Sequence, residues 1–182
     1  MDIIGEYNDW VSVVRAAVKR KDTDMWLLAM QEKSKLRLYR TLKTDLKPEE
    51  YLSWTVSAQQ RALYAQLRSG THQLRIEVGR WSQEAEAERV CKVCLTGKVE
   101  NERHFLLECY VYQRLRHSMF DQILQKTGYD LHLTNDSQWL LDVLIGHGFS
   151  KKRARSVTGT VVTTFIAQAM RLRTRVLTLP EH

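Results

Sequence analysis

Helix breakers are nearly absent. The 182-residue chain has two prolines, at 48 and 180, and eight glycines. Residues 49–179 therefore run without a proline, which excludes a Pro/Gly-rich chain and favours an all-α fold. Cysteine is equally scarce. The three present, Cys91, Cys94 and Cys109, are an odd number, which argues against a disulfide scaffold. No apolar run approaches the roughly 18 residues that cross a bilayer. Met1 to Trp10 carries Asp2, Glu6 and Asp9 and no apolar signal core. These absences point to an intracellular protein, nuclear or cytoplasmic, with no membrane partner.

What is present suits a buried core. Hydrophobic residues make up 43% of the chain and charged residues 27%. The net charge of +7 is unevenly placed. Residues 1–50 carry ten Lys/Arg against nine Asp/Glu, and residues 51–150 carry eleven against eleven. Residues 151–182 carry seven against one, so a basic partner surface is expected there.

Apolar spacing predicts helices along most of the chain. The first covers 7–20, capped by Asn8 or Asp9, with Trp10, Val13, Val14, Ala17 and Val18 as its apolar stripe. A second starts near Thr23 or Asp24 and turns Trp26, Leu27 and Met30 inward, with a break near Ser34 left open. Pro48 opens another turn. Ser57 caps a helix that Gly70 stops. Residues 110–125 form a helix stopped by Gly128, and Asn135 or Asp136 caps the next. Gly146-His147-Gly148 reads as a turn. The last helix, 150–176, repeats Val157, Val161, Phe165 and Ala169 at i+4, with Val162, Ile166 and Met170 beside them. Residues 72–81 alternate at Leu74, Ile76 and Val78 and fit either a strand or a helical turn, so a short β hairpin at 72–95 stays open. Residues 82–90 read as an exposed acidic loop. The expected organisation is one composite domain: a helical part (1–70), a finger with its leading segment (71–110) and a second helical part (111–182).

All three cysteines fall inside Cys91-x2-Cys94-x9-His104-x4-Cys109. A Cys-x2-Cys turn sets two thiolates one tetrahedral edge apart, roughly 2.3 Å from a zinc. Gly97 lets the chain reverse, and Glu100 and Glu102 favour the start of a helix bearing His104. Three thiolates and an imidazole close a tetrahedron with no position for water. The spacing therefore predicts one structural zinc in an embedded CCHC finger. Phe105, Leu106 and Leu107 should pack that finger onto the helical body.

The run Ser69–Trp81, then Glu88–Cys94, Val99–Cys109, Tyr112 and Leu115-Arg116, resembles the zinc-binding region downstream of the polymerase in reverse transcriptases of animal non-LTR retrotransposons. Lys35–Tyr39, Glu50–Leu52, Phe165-Ile166 and Arg171–Arg173 extend the resemblance over about 33–175. Tyr110 stands where a proline commonly follows the last cysteine. No Tyr-x-Asp-Asp polymerase signature is present, so what the resemblance implies is the tail of such an element or a host protein derived from one, and not the polymerase itself. The resemblance implies a non-catalytic module that binds RNA or DNA. Lys92, Lys98 and Arg103 on the finger, and Lys151, Lys152, Arg153, Arg155, Arg171, Arg173 and Arg175 on the last helix, are the candidate phosphate contacts. Solvated helix faces are the plainer explanation of the same residues. The alternative function is a protein-interaction or regulatory module domesticated from a retroelement.

Five tryptophans (10, 26, 54, 81 and 139) are mostly expected in the core. Any exposed one marks a partner surface or a stacking site for a base. His72, His117, His132, His147 and His182 pair with no recognisable nucleophile, and nothing suggests a small-molecule substrate. Glu77 and Arg80 read as a structural ion pair at the base of the finger.

Overall fold

The computed structural model describes residues 3–146 and 148–179. Met1, Asp2, His147 and residues 180–182 lie outside them, and with His147 the centre of the turn expected at 146–148. The described residues form an all-α fold with no strand. No helix among them is long and apolar enough to cross a membrane.

The core is built on the last helix, α7 (Lys152–Thr178). It packs against α5 (Gln113–Thr127), α3 (Ala58–Ser69) and α6 (Ser137–Ile145). Val161, Phe165, Ala169, Val162 and Ile166 are buried, as the two i+4 rows require. Each large apolar side chain among them contributes about 1.5–3 kcal/mol by leaving water. Local signals set the helix ends. Ser57 and Gln60 form a reciprocal capping box at α3, and Gly70 ends it at φ 64°. The Asp136 side chain accepts from Gln138 and Trp139 N–H at α6, and Gly128 ends α5 at φ 78°.

Three expectations change. First, residues 3–31 form one continuous helix, α1 (Ile3–Gln31), so Asn8 and Asp9 lie inside it and cap nothing. Its packing is with the turn Ser34–Leu36 and with α2 (Tyr39–Leu42), where Met30 is buried. The apolar stripe of this helix is exposed, Trp10 by 63% and Val13 by 65%. Second, residues 75–81 are helical, forming α4 (Arg75–Trp81), so a hairpin over 72–95 is not formed. Among the described residues the antiparallel pairing is a single bridge, Val90 with Val99, which closes the finger itself. Third, residues 110–112 make a 3-10 turn, and α5 begins at Gln113.

A polar knot lies among aromatic rings. Arg68, 2% exposed, donates to the Ile145 carbonyl and to Glu49 Oε2 (3.0 Å). Its guanidinium sits 5.7–5.9 Å from the ring centres of Tyr39, Tyr51 and Tyr64. Burial first, then a hydrogen bond to Glu49, pushes the Tyr39 hydroxyl up to about 12. Above this knot, Trp54 stacks edge-on with Tyr64 at 5.1 Å and lies against Gly159 of α7.

A Cβ added at Gly159 would sit 2.0 Å from the Trp54 ring. Alanine would gain about 1 kcal/mol of helix propensity there. Overpacking a rigid, buried indole costs about 1–3 kcal/mol. Gly159→Ala is therefore expected to lower stability in urea unfolding, and an unchanged midpoint would show that Trp54 can move aside.

Candidate metal centre

The finger starts as a tight knuckle. Cys91 N–H donates to the Lys98 carbonyl (2.8 Å) and Glu100 N–H to the Arg89 carbonyl (2.9 Å), so the chain folds back within eleven residues. Gly97 takes φ 73° and Leu95 φ 56° to make the reversal. The second half contains a π turn over His104–Glu108, closed by Cys109 N–H on the His104 carbonyl at 2.8 Å. That i→i+5 closure explains the ligand spacing. His104 and Cys109 are five residues apart, which one π turn brings together.

The four donors converge. The ligand atoms of Cys91, Cys94, His104 and Cys109 lie within 4.8 Å of one another, and all four residues are buried. All three cysteines are free thiols. His104 Nε2 lies 3.4 Å from Cys94 Sγ, so Nε2 faces the cluster. A tetrahedral ion bound at roughly 2.0–2.3 Å by imidazole and thiolate would separate nitrogen from sulfur by about 3.5 Å. The set therefore fits one metal ion. The opposite nitrogen, Nδ1, is buried without a hydrogen bond among the described residues, with Glu108 Oε2 at 3.7 Å, too far for one.

Without metal the thiols share protons. A hydrogen bond with Cys109, together with burial, pushes Cys91 up to about 12, and the same bond lowers Cys109. Burial disfavours the charged form of His104, but its contacts with Cys91 and Cys94 outweigh this and raise it. Loading an ion must displace these protons, so affinity rises with pH.

The finger is bolted to the helical body by charged side chains. Glu100, 1% exposed, accepts from Arg173 Nε and Nη2, both at 2.8 Å, and from Arg75 N–H at 2.8 Å. Its carbonyl accepts from Ile76 N–H (3.1 Å), and Oε1 lies 3.8 Å from Cys91 Sγ. Glu102 is also buried, with Arg37 at 2.6 Å and His72 Nε2 at 2.9 Å. Burial would raise the Glu102 carboxyl, but His72 and Arg37 outweigh it and hold it below the ordinary glutamate range. Glu100 and Glu102 are thus tertiary anchors, and Glu102 also opens the short helical stretch that carries His104. The expected Glu77–Arg80 pair forms at 2.9 Å. His72, Glu77 and Glu102 also bring three donors within 4.8 Å, but Arg37 and Arg80 already neutralise the two carboxylates. Arg116, buried and missed by the spacing argument, donates to the carbonyls of Leu106 (2.7 Å) and Cys109 (2.8 Å).

The candidate phosphate contacts divide. Arg173 is 8% exposed and spent on Glu100, and Arg155 is held by Glu50 through two hydrogen bonds at 2.7 and 2.9 Å. Both leave the basic surface, because a bidentate carboxylate already satisfies each guanidinium. Arg173 continues the Val161-Phe165-Ala169 row by one i+4 step, a signal that could have placed it inside. Arg103 pairs with Glu108 at 2.8 Å, and Lys98 approaches the same carboxylate at 3.9 Å. Lys92, Lys151, Lys152, Arg153, Arg171 and Arg175 are exposed.

No family model, curated protein or solved structure matches the chain.

Elemental analysis is expected to find one metal ion per chain, lost with the fold in Cys94→Ser; a folded, metal-free preparation would refute the site. Arg173→Met leaves the Glu100 carboxylate buried without its counter-charge. That change is expected to cost about 3–5 kcal/mol in chemical unfolding, far beyond an exposed pair.

Proposed function

We propose that this chain is a zinc-stabilised, non-catalytic nucleic-acid-binding module of retroelement type. Zinc is the ion the donor chemistry favours, since a buried set of three thiolates and one imidazole is soft and tetrahedral. Four protein ligands leave no open position, so the ion holds shape rather than performing chemistry. The resemblance of residues 69–116 to the retrotransposon region agrees with this reading.

The observation that carries the proposal is a groove of about 270 Å³ lined by Lys126, Thr127, Lys151, Arg153, Ala154 and Val157. Three cations from α5 and the start of α7 converge there, and no carboxylate is among these lining residues. Lys151, Lys152 and Arg153 crowd the N-terminal turn of α7, which has no acidic residue and no side-chain cap. Cations at that end oppose the helix dipole, and an incoming phosphate relieves both the repulsion and the unsatisfied backbone N–H groups. Lys126 joins the set although sequence spacing did not suggest it.

A second reading, a protein-interaction module, is favoured by one observation. The apolar face of α1 is exposed at Trp10, Val13 and Val18. The two readings differ in their response to salt.

Fluorescence anisotropy with labelled RNA and DNA is expected to give log affinity falling linearly with log salt. Replacing Lys151, Lys152 and Arg153 with alanine should reduce that slope by roughly 2–3 on duplex DNA, at about 0.9 per phosphate contact. Absence of binding at low salt would sink the nucleic-acid reading.

A further inference from the structure

Trp81 ends α4 and is 82% exposed, well beyond Trp10 at 63% and Trp139 at 38%. A core role is excluded for it. It lies in a groove of about 450 Å³ lined by Glu32, Lys33, Ser34, Lys35, Arg80 and Trp81. Two elements distant in sequence build this groove: the turn that follows α1, and the end of α4.

The indole is not merely loose at the surface. Arg80 is held from two sides, donating to Ser34 Oγ at 3.2 Å and pairing with Glu77 at 2.9 Å. Its guanidinium then lies over the Trp81 ring, 5.7 Å from the centre. One face of the ring is thereby braced by a cation, and the rest is open to solvent. Lys33 and Lys35 are exposed beside it. With Arg80 paired to Glu77, Lys33 and Lys35 face one carboxylate, Glu32, so the groove favours an anionic ligand with a flat apolar part.

We infer that this groove binds single-stranded nucleic acid, with an unpaired base stacked on Trp81 and the flanking phosphates held by Lys33 and Lys35. The inference rests on the nucleic-acid reading above and narrows its substrate. A duplex keeps both faces of its bases occupied by neighbours, so an indole fixed in a groove finds no free face there. A single strand offers one at every nucleotide, and stacking is tolerant of base identity. The basic groove at α7 has no aromatic lining and does not discriminate in this way.

The test compares the wild-type chain with Trp81→Ala, Trp81→Phe and the double variant Lys33→Ala/Lys35→Ala. The probes are a single-stranded 12-mer, as DNA and as RNA, and the duplex of the same sequence. Metal content and circular dichroism verify that each variant is folded. Trp81→Ala is expected to weaken single-strand binding about tenfold and duplex binding by less than about twofold, with partial rescue in Trp81→Phe. The strand should quench tryptophan emission in wild type and leave Trp81→Ala unquenched. The lysine double variant should lower the single-strand salt slope by roughly 1.4, at about 0.7 per contact. Wild-type binding that Trp81→Ala leaves unchanged overturns this site while sparing the α7 groove. Equal quenching by polyglutamate at matched salt overturns the nucleic-acid specificity of the groove. No binding of any probe by wild type at low salt overturns both readings together.

Discussion

Glu100 places a carboxylate where the finger, α4 and α7 meet. An isolated charge at 1% exposure would cost several kcal/mol, so the carboxylate persists only because partners surround it. Arg173 supplies a two-pronged guanidinium and Arg75 a backbone N–H, while the Glu100 carbonyl takes Ile76 N–H. Moving any of the three elements therefore strands a buried charge. The metal-ligand knuckle and the helical core become one mechanical unit at this residue, with Cys91 Sγ 3.8 Å away. The consequence reaches further along α7. A straight helix from Lys152 to Arg173 spans about 30 Å, so fixing it near one end orients the basic turn at the other.

A loaded metal cluster and its surroundings would also balance electrically. Three thiolates around a divalent ion carry a net charge of −1. Arg116 lies buried beside them, its donors spent on the carbonyls of Leu106 and Cys109 rather than on a carboxylate. Burial pulls its pKa below the ordinary arginine value, and the charges of Cys109 and Glu108 oppose that pull. A negatively charged cluster would supply the compensation that a side-chain partner otherwise provides. The same guanidinium pins both ends of the segment between Leu106 and Cys109, where the π turn ends. An arginine on an apolar helix face, one i+4 step from the buried Tyr112, is thus part of the finger's frame.

The legible parts of the sequence were those with local causes. Ligand spacing located the cluster because a Cys-x2-Cys turn and a five-residue return are properties of a short stretch of chain. Caps at Ser57 and Asp136 and stops at Gly70 and Gly128 are local in the same sense. The helix at 75–81 was not legible, because its N-terminal donors, Arg75 and Ile76 N–H, are satisfied by Glu100, about 25 residues away. Leu74, Ile76 and Val78 alternate because α4 is enclosed on most sides, which erases the helical period. Periodicity also identified the apolar face of α1 correctly but said nothing about what covers it. Charge counting failed at Arg155 and Arg173 for a related reason, since a tally of cations does not see a carboxylate 73 or 105 residues distant.

Pairing removes cations and carboxylates in equal number, so it cannot consume the +7 excess. A loaded metal cluster lowers it by only one. The surplus remains on cations that share a carboxylate, as Lys98 and Arg103 share Glu108, or have none. Burying Glu77, Glu100 and Glu102 concentrates this effect, because acids that could have tempered the surface are committed inside. The exposed cations gather on separate elements: Lys126 with Lys151–Arg153 beside α5 and α7, and Lys33 and Lys35 beside Trp81. A fold stabilised by internal carboxylates thus leaves its surface cations uncompensated, which is the setting the proposed nucleic-acid partner requires. The braced indole among one group of them is the feature by which the proposed site would distinguish a base from a phosphate alone.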